Sequence, residues 1–72
     1  MTNGENERTR RELGERFRKA RESLHLTQQE VADRAGIHVN YYARIERGEE
    51  NPSFDKLRDI KKALNIKSLG LI

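Results

Sequence analysis

Val39, Asn40, Ala43 and Arg44 stand at i, i+1, i+4 and i+5, a spacing that gathers side chains on one flank of a helix. Their chemistry suits the edges of base pairs. An arginine guanidinium can bond guanine O6 and N7 together, an asparagine amide can bond adenine N6 and N7, and valine methyls can rest on a thymine methyl. A helix used this way must keep two faces at once, one apolar and packed, the other polar and free to enter a major groove. Residues 26–48, L-T-Q-Q-E-V-A-D-R-A-G-I-H-V-N-Y-Y-A-R-I-E-R-G, have that form: two short amphipathic helices around a glycine turn.

The neighbouring residues supply the elements that would position this face. Thr27 is a good N-cap, and Glu30 three residues later completes a capping box. The helix it opens runs to Ala35, with Val31, Ala32 and Ala35 inward; Ala32 suits a close helix crossing. Gly36 permits a positive φ, Ile37 plugs the core, and His38 caps a helix over 39–47 that ends at Gly48. Tyr42 and Ile45, three apart, share the core side of that helix. Upstream, Leu13, Phe17, Ala20 and Leu24 form a helical stripe over 9–24, and His25 follows as a left-handed cap. Downstream, 49–52 is a turn, and Ser53 caps a fourth helix with Phe54, Leu57, Ile60 and Leu64 inward. The tail N-I-K-S-L-G-L-I has room for one more helical turn, broken at Gly70. No segment alternates with period two, so the chain is read as all-α.

Seventy-two residues make one domain near the lower size limit for folding without staples. With no cysteine, neither a disulfide framework nor a thiolate metal site is available. His25 and His38 fall on separate turns without a ligand cluster, so neither metal nor cofactor is expected. No phosphate loop, G-x-S-x-G or paired-carboxylate pocket is evident, which argues against an enzyme. No apolar run reaches membrane-spanning length and the start lacks a signal peptide, so the expected location is the cytoplasm. Residues 1–7 are polar and aperiodic and are expected to form a disordered arm before a domain over 8–72. A net charge of +3 says little about partners; its distribution says more. Arg8, Arg10, Arg11, Arg16, Arg18, Lys19 and Arg21 crowd the first helix. Both a solvated face with pairs such as Glu12–Arg16 and Glu15–Lys19 and a phosphate-facing role for Arg8, Arg10 or Arg11 remain open.

Five marks stand in order along the chain: L-G-E-R-F-R-K-A-R, L-T-Q-Q-E-V-A, G-I, I-E-R-G and N-P-S. With them the chain resembles the phage repressor/Cro family of helix-turn-helix domains, also called the xenobiotic-response-element type, over residues 13–64. The resemblance implies a compact four- to five-helix, lambda-repressor-like domain. It puts base-reading positions on Val39, Asn40 and Arg44, within the flank that also holds Ala43. It puts phosphate contacts on Gln28, where a helix N-terminus adds its own attraction for an anion, with Gln29 sharing the task, and on Tyr41 and Arg47. Arg21 and Glu46 match a structural ion pair of the family. Two residues depart from the pattern: Tyr42 replaces a valine or isoleucine, and Lys61 replaces a small apolar residue on the fourth helix.

The function these features imply is sequence-specific binding of double-stranded DNA by a transcriptional regulator. The family's habit adds a homodimer on a palindromic operator, with the fourth helix and the tail over 66–72 as its surface. The alternative is a protein-interaction module or antitoxin that keeps the fold and binds a partner protein through the same fourth helix and tail.

Overall fold

The computed structural model describes residues 3–67. Among these, four helices follow one another: α1 (Asn3–Ser23), α2 (Gln28–Ala35), α3 (Val39–Glu46) and α4 (Phe54–Ala63). Their core is Leu13 and Phe17 from α1, Val31, Ala32 and Ala35 from α2, Tyr42 and Ile45 from α3, and Ile60 with Leu64 at the end of α4. Helix α2 packs on both α3 and α4, and α1 packs on α3. Helices α2 and α3, joined by three residues, form the helix-turn-helix.

The boundaries follow from local chemistry. Thr27 Oγ1 accepts from the Glu30 amide at 3.0 Å, and the Thr27 amide donates to Glu30 Oε1 at 2.8 Å, closing the capping box. Bonds from the Thr27 backbone and side chain hold the Glu30 carboxyl below its ordinary pKa. His38 Nδ1 accepts from the Asn40 amide at 3.1 Å, and Ser53 Oγ from the Lys56 amide at 3.3 Å. The four described C-termini all use one device. His25, Gly36, Gly48 and Asn65 have φ of 58°, 71°, 77° and 56°. The next amide reaches back into the last turn: Leu26 to Arg21, Ile37 to Ala32, Glu49 to Arg44 and Ile66 to Lys61. These are Schellman closures, which satisfy late carbonyls and turn the chain within two residues.

Three expectations need correction. Residues 3–7, expected within an arm, belong to α1. A helix needs no apolar stripe where it projects beyond the core, and the Glu7–Arg11 pair at 3.9 Å lies along its exposed side. Met1 and Thr2 lie outside the described residues, as does the part of the expected tail turn beyond Lys67. Leu24, expected inward, is 41% exposed because the helix has already ended and the chain is reversing at His25. Phe54, also expected inward, is 65% exposed. It precedes Ile60 by six residues, which at 3.6 residues per turn sets it roughly 120° around the helix from that buried side chain.

One close approach positions α3 and rests on a glycine. At Gly14 a Cβ would overlap the backbone carbonyls of Ile45 and Glu46. Backbone atoms have no rotamer by which to yield, so α1 can lie this near α3 only without a side chain there. Gly14→Ala is therefore expected to cost on the order of 3 kcal/mol, the upper end for overpacking. Urea unfolding would show it as a lowered midpoint; an unchanged midpoint would mean that α1 and α3 are not in such contact.

Candidate nucleic-acid interface

Helix α3 divides sharply into two faces. Tyr42 and Ile45 are buried against the core, and Glu46 is buried beside them. Asn40 is exposed, and Ala43 and Arg44 are half-buried on the same flank. Val39 and Tyr41 are less free than residues made only for contact: both are half-buried and lean on the core cluster. Burial raises the pKa of the Tyr41 hydroxyl, and the nearby Glu50 carboxylate raises it further against the opposing Arg44 charge.

A network around Glu46 holds this helix to the body. Arg21 Nε donates to Glu46 Oε2 at 2.7 Å and Arg21 Nη2 to Oε1 at 3.1 Å. Gln28 Nε2 donates to the same Oε1 at 3.0 Å. Arg21 Nη1 also reaches the Leu26 carbonyl at 3.1 Å, so α1, the first turn, α2 and α3 share one network. The side chains of Arg21 and Glu46 are only 15% and 3% exposed. Burial works to raise the Glu46 pKa, but Arg21, the adjacent Tyr42 hydroxyl and Gln28 outweigh it, and the carboxyl sits below its ordinary value. The Tyr42 hydroxyl itself stands enclosed beside this pair without reaching a well-formed hydrogen bond. Its pKa is driven far upward, first by burial and then by the Glu46 carboxylate.

The remaining candidates already have partners within the chain. Gln29 Nε2 donates to Asp33 Oδ1 at 2.8 Å. Arg44 Nε donates to Glu50 Oε2 at 2.8 Å. Arg47 grips Glu49 with Nε and Nη2, at 3.0 and 3.1 Å. Neither glutamate was among the sequence candidates. The signal was the acidic pair after Gly48, but an arginine six residues before its partner meets it only if the chain doubles back. On α1, Glu15 pairs with Arg18 and not Lys19. The Arg11 stem lies against Gly48, where a Cβ would come within 2.7 Å of Arg11 Cγ. A groove of about 630 Å³ opens between these elements, lined by Arg11, Arg18, Arg47 and Glu49 among others. Of the three early α1 arginines, the structure thus brings Arg11 to the turn after α3.

A family model described as helix-turn-helix matches residues 17–71. The chain belongs to the helix-turn-helix family, in its Cro/C1-type branch. An HTH-type transcriptional regulator of Mycobacterium tuberculosis is 38% identical over 53 residues, 74% of this chain and 38% of that protein. One from Sinorhizobium fredii is 33% identical over 63 residues, covering 88% and 82% of the two chains. The immunity repressor of Bacillus phage phi105 is 33% identical over 60 residues, 83% and 42% respectively. The chain thus spans about two fifths of the mycobacterial and phage relatives and most of the rhizobial one. This helix-turn-helix family is one of DNA-binding regulator domains and not an enzyme family. Among the described residues no helix is long and apolar enough to cross a membrane.

The Glu46 network is expected to make the helix-turn-helix sensitive to acid. A carboxyl whose pKa is lowered on folding stabilises the fold above its unfolded value, near 4.5, and ceases to do so as pH falls through its folded value. Glu46→Gln keeps the size but leaves Arg21 without its counter-charge, at a cost on the order of 3 kcal/mol at neutral pH. Urea unfolding across pH 2–7 (roughly the range in which carboxylates titrate) should show a lower midpoint and a shallower acid slope for the variant. An equal acid slope in both proteins would remove Glu46 from that role.

Proposed function

We propose that this chain is the sequence-specific, double-stranded DNA-binding domain of a transcriptional regulator, with α3 lying in the major groove. The observation that carries the reading is the division of α3. Tyr42, Ile45 and Glu46 fix the helix to the body, while Asn40, Ala43 and Arg44 stand together on the side away from it. The regulators and the phage repressor to which the chain is similar support the same assignment. Such work belongs in the cytoplasm, on the nucleoid.

In this reading Arg44 and Asn40 bond base edges, and Val39 and Ala43 line the groove with apolar contact. Gln28 contributes to the phosphate backbone while bracing Glu46, since its amide nitrogen carries two hydrogens and Glu46 takes one. Gln29 shares that task, and Tyr41 adds a phosphate contact of its own. Arg47 serves a phosphate once it exchanges Glu49 for it, a trade of one anion for another. Two copies on a palindromic operator would cover the exposed Phe54 and the residues after α4.

Selection from a random duplex library, followed by titration of the chosen site, tests the assignment. Half-sites related by two-fold symmetry would support the dimer, and a single asymmetric site a monomer. Affinity should fall linearly with salt on a log–log plot; a flat response would point to a protein partner. Arg44→Ala should lose about 1–3 kcal/mol at the best site and relax preference at one or two base pairs. Arg47→Ala should weaken all duplexes alike and flatten the salt slope by about one unit. Equal weakening of every sequence by Arg44→Ala would make it a phosphate contact instead.

A further inference from the structure

We propose that Glu50 is a positioning residue for base recognition: by holding Arg44 through Nε, it aims the outer edge of the guanidinium at the groove and so sets specificity. The inference rests on the DNA-binding reading above. Two arginines of the α3 surface are held by two consecutive glutamates, but in different ways. Arg47 is gripped by Glu49 through both Nε and Nη2, between side chains that are each more than half exposed. That fork occupies the Nε–Nη2 edge of Arg47. Arg44 meets Glu50 through Nε at 2.8 Å, between side chains 42% and 32% exposed. Among the described residues this bond leaves the Nη1–Nη2 edge of Arg44 without a hydrogen-bond partner, and those parallel donors match guanine O6 and N7.

The backbone fixes where Glu50 stands. Gly48 is left-handed at φ 77°, and the Glu49 amide closes onto the carbonyl of Arg44 itself at 2.9 Å. The turn carrying Glu50 is therefore bonded to the residue that Glu50 holds. Gly48 also lies against Arg11 of α1, which keeps this turn from swinging away. An arginine carries several rotatable bonds, and holding it before binding removes an ordering cost that would otherwise fall on the complex. A carboxylate near phosphates weakens attraction for DNA of any sequence. Its compensation is that Arg44 is presented in one orientation, so a wrong base pair meets a fixed donor edge.

The test uses the full chain, the selected duplex, single-base-pair variants of it, and a random-sequence duplex, with binding read by fluorescence anisotropy. Glu50→Gln should bind the random duplex a few-fold more tightly through loss of a negative charge. It should also lose about tenfold in discrimination at the base pair read by Arg44. Discrimination at the pair read by Asn40 should stay within about twofold, since that contact gains and loses nothing. In an Arg44→Ala background, Glu50→Gln should leave base preference unchanged. In the free chain, the NMR signal of Arg44 Nε–H should exchange slowly with water and lose that protection in Glu50→Gln. Uniform loss of discrimination at every position, or the same loss without Arg44, would overturn the role of Glu50. Full retention of the wild-type preference would overturn it too. A wild-type chain with no base preference would overturn the DNA-binding reading as well, which separates the two failures.

Discussion

A single carboxylate, that of Glu46, sets how α3 is held. It lies at the end of α3 and receives Arg21 from α1 and Gln28 from α2, while Arg21 also holds the carbonyl of Leu26 in the intervening turn. Apolar packing by Tyr42 and Ile45 decides which side of α3 is inward, but it is non-directional and tolerates small rotations of the helix. The charged network does not, because bidentate bonds have a narrow geometry. In the proposed function α3 needs that constraint, since a small rotation would carry Arg44 off a base edge. Burying the pair gives no assurance of net stability over an apolar substitute; what it contributes here is register.

The same constraint explains the backbone at the ends of α1 and α3. Gly14 lets α1 approach the last turn of α3 at backbone distance, and Gly48 lets the following turn pass against Arg11. Between them they bring Arg21 near enough to meet Glu46. Four successive Schellman closures then end each described helix and fix its exit direction. In a chain this small, long loops would add conformational entropy that the modest core cannot offset.

Much of this was legible in the chain because it is local. Thr27 with Glu30, His38 and Ser53 as caps, and His25, Gly36 and Gly48 as stops are each decided by residues within one turn. The inward pairing of Tyr42 and Ile45 follows from helical period alone. Asn65 was also legible in principle, since asparagine tolerates the left-handed region, but its closure depends on where α4 ends. The errors lie where a local pattern must be weighed against the extent of a distant surface. Phe54 looks apolar and periodic, yet the core does not reach its side of α4. Residues 3–7 lack periodicity, yet a helix already nucleated by the core extends past it readily. Gly14 was visible as part of a motif, but nothing in its neighbours says that another backbone lies against it. Glu49 and Glu50 were hidden for the same reason, since their partners precede a reversal of the chain.

Those two glutamates bear on what the surface is built to do. Net charge suggests only a mild general attraction to nucleic acid, and an acidic pair beside the recognition helix reduces it further. For a protein that merely coated DNA, that would be a defect. For one that must reject most sequences, lower background affinity is useful, because specificity is a difference between affinities and not the larger of them. In the proposed reading Glu49 offsets the positive charge of Arg47 until phosphate replaces it. Glu50 does the same for Arg44 but through Nε, so the outer donors stay presented. On that reading the two adjacent carboxylates act on different terms of the same difference: one on attraction to any backbone, the other on the geometry with which a particular base is met.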